Sequence, residues 1–207
     1  MNIEELLKIA SDFDPQLSAR LGFILELDRL KTIVRQNVLA DRSRNENSAE
    51  HSWHLAMTAL VMVPYAKEPI NLEKAMKTLL VHDIVEIDAG DVDIFDADAR
   101  ADSEVREQRA AERIFGLLPE PDGSELRTLW IEFEAQSTPE ARFAYGCDRL
   151  QPFLLNVAVG GEAWAKRGVT ARQVREINSR MQSGLTSVWP VAEAMLSATI
   201  AEGTLEP

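Results

Sequence analysis

Apolar residues recur every three or four positions along most of the chain, and neither a convincing strand-like alternation nor an Asn-Gly hairpin interrupts them. The spacing predicts helices near residues 2–11, 16–36, 48–66, 71–87, 102–117, 123–136, 139–159, 170–183 and 186–202. Asn71 opens one of them, followed by a stripe of Leu72, Ala75, Met76, Leu79 and Leu80. Thr138-Pro139-Glu140 opens another, with a capping hydroxyl, a proline where no amide partner is needed, and an acid at the positive end of the dipole. Pro64, Pro152 and Pro190 are expected to bend or end the helices they fall in. The expected fold class is all-α, a bundle of about eight or nine helices.

Composition narrows this picture. The chain has 207 residues, of which 45% are hydrophobic, enough for one domain with a sizeable core. The start, MNIEELLKIASDFD, is acidic and shows no secretory signal, and the longest apolar run, around Leu55–Ala66, is too short to span a bilayer. A soluble, cytoplasmic protein without membrane partners is expected. Cys147 is the only cysteine, which excludes an intrachain disulfide and a cysteine-based zinc cluster. A net charge of −12 argues against wrapping long nucleic acid, while a small anion remains compatible if a metal ion reverses the local field.

Chemistry concentrates around three histidines, His51, His54 and His82. His82-Asp83 follows Leu79-Leu80-Val81 near a helix end, and His51 lies in Ser48-Ala49-Glu50-His51 at a helix start. Adjacent helical residues point about 100° apart, so His82 and Asp83 can share one ion only if it sits between their directions and other helices supply further ligands. Mixed imidazole and carboxylate ligation suits Mn, Fe, Co, Ni or Zn.

These residues fall in a longer pattern, which runs from Arg29-Leu30-Lys31-Thr32-Ile33-Val34-Arg35 through Asn47-Ser48-Ala49-Glu50-His51-Ser52. It continues in His82-Asp83-Ile84-Val85-Glu86, Gly90-Asp91, Leu129-Trp130-Ile131-Glu132-Phe133-Glu134 and Ala144…Cys147-Asp148-Arg149-Leu150. The pattern resembles the HD-domain metal-dependent phosphohydrolases, in particular their 5′-deoxynucleotidase and HD-domain-containing protein 2 branch. The resemblance implies a single HD domain over 1–207, with a metal-binding core at about 29–156 and C-terminal helices 170–202 packed on it. It implies one divalent transition metal held by His51, His82, Asp83 and Asp148, with Glu86 handling the attacking water, Arg35 contacting phosphate and Asp91 reading the sugar. Gln36 stands where the bacterial deoxynucleotidases have a tryptophan packed beside the sugar, so the resemblance carries the phosphatase chemistry but not the deoxyribose preference. Small enzymes of this branch generally pair, and Val188, Trp189, Val191, Met195 and Leu196 offer apolar surface for a homodimer.

The expected activity is release of phosphate from a (deoxy)nucleoside 5′-monophosphate or another small phosphate ester. The alternative is a metal-bound nucleotide-sensing or interaction module with weak turnover. Rival hydrolases of the superfamily fit less well: Glu86 is followed by Ile87 and not a second acid, and no Gly-Tyr-Pro occurs. His54, one turn from His51, is expected in the core or pocket wall, and Cys147 as a small buried hydrophobe. Asp93, Asp96 and Asp98 are expected to be a solvated loop, since Val85 stands where a calcium loop would begin with an acid. Trp53, Trp130, Trp164 and Trp189 are expected to anchor the core or an interface.

Overall fold

The computed structural model describes residues 1–96 and 102–205. Capping residues set where the helices begin. Asn2 and Glu5 close a capping box on α1 (Ile3–Phe13), and Asp14 accepts from two amides of α2 (Pro15–Leu27), which starts on its proline. Asn47 and Glu50 form a second box on α3 (Ser48–Met62), and Asn71 caps α4 (Leu72–Val81). After α5 (Glu86–Ala89) come α6 (Ser103–Phe115), α7 (Asp122–Ala135) and α8 (Pro139–Ala158). Thr138 caps α8, and Thr170 with Gln173 boxes α10 (Ala171–Asn178), which lies between the short α9 (Glu162–Lys166) and α11 (Trp189–Ala201). Among the described residues nine helices have eight residues or more, in line with the all-α expectation.

Two predicted helices end early. The stretch expected as 16–36 breaks after Leu27 into a 3-10 turn (Asp28–Thr32) and then β1 (Val34–Val38). β1 pairs antiparallel with β2 (Asn45–Asn47) around an irregularity, with Val34 opposite Asn47 and Val38 opposite Asn45. No Gly or Pro marks the break. The strand exists because its partner, brought back by the turn at Leu39–Arg44, supplies its backbone bonds. The stretch expected as 71–87 ends at Val81, passes through a turn at 82–85 and resumes as α5, which stops at Gly90, where φ is +78°.

Two apolar clusters flank the region between them. One joins Leu55 and Ala59 of α3, Leu79 of α4, Phe143 and Cys147 of α8, and Met181, Leu185 and Leu196 of the C-terminal segment. The other joins Phe23 and Leu30 to Val81, Ile84, Ile114 and Trp130. Gly146 lets the C-terminal segment close on α8: a β-carbon there would lie 3.0 Å from Leu185 Cγ and 3.1 Å from the Met181 carbonyl. Cys147 is fully buried, as expected.

The C-terminal apolar surface is smaller than expected. Leu196 is fully buried, and Val188 and Trp189 pack against the core, leaving Val191 and Met195 exposed. Exposed apolar side chains lie also on α3, at Trp53, Met57, Leu60 and Val61, and on α1 and α2, at Ile3, Ile9, Phe13, Leu17 and Ile24. Trp130 and Trp164 are core residues. No described helix is long and apolar enough to cross a membrane.

Candidate metal centre

Three helices meet where the two clusters adjoin. The box on α3 places His51 in its first turn, fully buried, and the C-terminal end of α4 delivers His82 and then Asp83. Asp148 projects from the middle of α8. One ligand-capable atom from each of His51, His82 and Asp83 lies within 4.8 Å of the others. Asp148 Oδ1 completes the group, 3.1 Å from His51 Nε2 and 3.6 Å from His82 Nε2, while Asp83 Oδ1 is 3.0 Å from His82 Nε2.

The imidazoles are oriented from behind. His82 Nδ1 lies 2.8 Å from the Leu79 carbonyl and donates to it, which turns the Nε2 lone pair inward, and that buried atom has no hydrogen-bond partner. His51 Nδ1 donates to Gln151 Oε1 at 2.9 Å and likewise turns Nε2 inward. Two inward lone pairs beside two carboxylates, with a buried imidazole nitrogen unpartnered, match the donor set of a divalent transition ion.

Arg35 reaches the cluster from β1, where alternation buries it between exposed Val34 and Gln36. Its Nη1 donates to Asp83 Oδ2 at 2.7 Å and lies 3.7 Å from Glu86 and 3.6 Å from Asp91. Ser48 donates to Glu86 Oε2 at 2.6 Å. All seven residues singled out in the sequence thus come together, although Arg35 arrives from a strand and Glu86 from a helix separate from that of Asp83.

Charge and burial compete throughout. For His82, burial disfavours the imidazolium, but Asp83 and Asp148 outweigh it and raise its pKa well above the usual histidine value. For Asp148, burial is overcome by Arg149 and by the imidazoles of His51 and His82 that face it, so its pKa falls well below the carboxylate range. Asp83 is likewise lowered, against burial, by His82 and Arg35. Glu86 goes the other way: burial and the neighbouring Asp83 raise it well above the usual glutamate value, against the pull of Arg35. Asp91 is raised by burial, partly offset by Arg35.

A cleft of about 770 Å³ opens onto His82, Asp83, Glu86, Asp91 and Asp148, walled by Trp130, Phe133 and Tyr145. A smaller cavity that shares Arg35, Asp91 and Asp148 with the cleft is also lined by Gln36, Asn37, Asn156 and Trp164.

Two expectations need correction. The His54 side chain is 46% exposed, not core, and Gln151 donates to it. Asp93 is not freely solvated, because Arg167 holds it at 2.6 Å, and Asp98 lies outside the described residues. The sequence assigns no role to Ser48, Glu46, Gln151 or Arg149. Arg149 binds Asp148 and lies over the Tyr145 ring. Ser48 and Arg149 lie within the motif segments themselves, close to candidate ligands, and that position is the signal that could have found them. Glu46 and Gln151 meet across 105 positions, which no local pattern reveals.

The fold and this cluster define a class: a helical bundle that carries a buried histidine–aspartate centre faced by an arginine. A model of the HD domain family matches residues 27–189, and the chain belongs to that family. 5′-Deoxynucleotidase HDDC2 of Danio rerio is 33% identical over 132 residues, 63% of this chain and 64% of that protein. The Homo sapiens protein of the same name is 31% identical over 135 residues, 65% of each chain. This chain therefore spans a little under two thirds of the length of these relatives. A solved structure of a "Predicted metal-dependent phosphohydrolase" from Magnetospirillum magnetotacticum MS-1 is 45% identical, with a TM-score of 0.88 over 93% of this chain and 96% of that one. A conserved hypothetical protein from Pyrococcus furiosus, 20% identical with a TM-score of 0.51 over 78% of this chain and 98% of that one, shares the fold.

Proposed function

We propose that this protein is a metal-dependent phosphohydrolase that releases phosphate from (deoxy)nucleoside 5′-monophosphates. The observation that carries the reading is the convergence of His51, His82, Asp83 and Asp148, with Arg35 and Glu86 on its open side. The names of the relatives, 5′-deoxynucleotidase and metal-dependent phosphohydrolase, support it. One divalent ion of the Mn, Fe, Co, Ni or Zn type would be held by those four residues. When bound, such an ion acidifies a water and polarises a phosphoryl oxygen.

The chain supplies the rest. Glu86, held by Ser48 through Oε2, takes the proton of the attacking water. Arg35 offers a planar guanidinium that exchanges its carboxylate contacts for phosphate oxygens. Asp91 faces the same cleft and accepts from a sugar hydroxyl. The cleft has the volume of a small-molecule site, large enough for a nucleoside monophosphate. The protein is proposed to work as a homodimer.

A screen of phosphate release from every nucleoside monophosphate and several sugar phosphates, repeated with each metal, tests the reading. Metal-dependent release from nucleotides is the expected result. Tight nucleotide binding without release under any metal would favour a sensing module.

A further inference from the structure

The buried carboxyl group of Glu46 has no part in the chemistry described so far. It lies on β2, 1% exposed, among residues that are otherwise ligands or their neighbours. Gln151 donates to its Oε1 at 2.9 Å. Its Oε2 makes no hydrogen bond and lies 3.2 Å from His51 Nδ1 and 3.8 Å from Arg35 Nε, which is itself unpartnered. A buried acidic side chain is costly unless it serves a neighbouring donor or cation, and both neighbours here belong to the candidate metal centre.

We infer that Glu46 is a positioning residue, which acts through the back of His51 to strengthen its Nε2 as a metal ligand and steadies Arg35 with the same oxygen. This inference rests on the proposed metal centre. A carboxyl group behind a ligating imidazole keeps the proton on the far nitrogen, fixes the ring and makes the near nitrogen a better donor. Gln151 completes the arrangement, since its Oε1 accepts from His51 Nδ1 while its Nε2 donates to both Glu46 and His54. An amide at position 46 cannot reproduce this. If its oxygen faces Gln151 Nε2, its NH₂ opposes the N–H groups of His51 and Arg35. If it turns around, two NH₂ groups face each other until Gln151 turns as well, and then Gln151 opposes His51.

The test compares wild type, Glu46→Gln and Glu46→Asp by calorimetric titration with Mn²⁺ and by thermal unfolding of the metal-free proteins. The Zn²⁺-loaded wild type is also examined by NMR for the His51 Nδ1–H proton. Glu46→Gln is expected to bind Mn²⁺ about 10- to 100-fold more weakly, with its metal-free unfolding midpoint at or above that of wild type. Glu46→Asp, shorter but still acidic, should fall between the two. A role in shape alone predicts the reverse order, because glutamine is the closer fit. The Nδ1–H resonance should appear downfield, as a hydrogen-bonded imidazole proton. Unchanged affinity in Glu46→Gln, the reverse ranking, a loss matched by lower metal-free stability, or absence of that proton from the wild type would each overturn the inference. A wild type that takes up neither Mn²⁺ nor Zn²⁺ would instead refute the metal centre itself.

Discussion

Arg35 carries one positive charge into a space where Asp83, Glu86, Asp91 and Glu46 all lie within 4 Å of its guanidinium. Burial disfavours that charge, but the surrounding carboxylates outweigh it and raise the pKa above the ordinary arginine value. At this scale Asp83 and Glu86 separate cleanly. Asp83 lies within ligand distance of the histidines, so Asp83→Ala should abolish both bound metal, read by elemental analysis, and phosphate release. Glu86 touches Ser48 and approaches Arg35, so Glu86→Ala should retain metal and slow release by about a hundredfold. Near-normal turnover in metal-loaded Glu86→Ala would move the water-handling role to Asp91 or Asp83. The grouping of the candidate ligands with Glu86 was legible because they sit in ordered motifs. Glu46 was not, because its meaning comes from Gln151 and His51, which reach it only in the folded chain.

Two elements bring the chemistry into place, and they differ in how openly the sequence announces them. The start of α3 is written locally: Asn47 accepts from the Glu50 amide at 3.0 Å, and Glu50 accepts from the Asn47 amide at 2.9 Å. Asn47→Ala should cost about 1 kcal/mol of unfolding free energy in denaturant titration. An unchanged stability would show that docking of α3 alone holds its first turn. The β1–β2 hairpin is written non-locally. Val34-Arg35-Gln36 continues the apolar spacing of α2, and only pairing with Asn45–Asn47 makes it a strand. The strand points Arg35 inward and leaves Gln36 at the smaller cavity. Gln36→Trp should raise the ratio of deoxyribo- to ribonucleotide hydrolysis by adding a flat apolar wall. An unaltered ratio across the base series would remove that position from sugar choice.

Across the whole molecule, the helical architecture was readable because capped, periodic helices carry most of the chain. The fate of the C-terminal apolar residues was not, since periodicity shows that a face is apolar and not what covers it. Leu196 turns into the core formed with α8, while an exposed apolar stripe lies on α3. Static light scattering at tens of micromolar is expected to give the mass of a dimer, and Trp53→Glu, at the largest side chain of that stripe, should shift it toward monomer. A monomer mass for the wild type would end the homodimer proposal.

His51, His82 with Asp83, and Asp148 are contributed by helices far apart along the chain, so a shared ion would join distant segments as a crosslink does. An ion that binds only the folded chain adds about 2.7 kcal/mol when present at a hundred times its dissociation constant. The unfolding midpoint should therefore climb steadily with added Mn²⁺ and drop when a chelator is introduced. Metal supply would then govern how long the protein survives proteolysis as well as how fast it works.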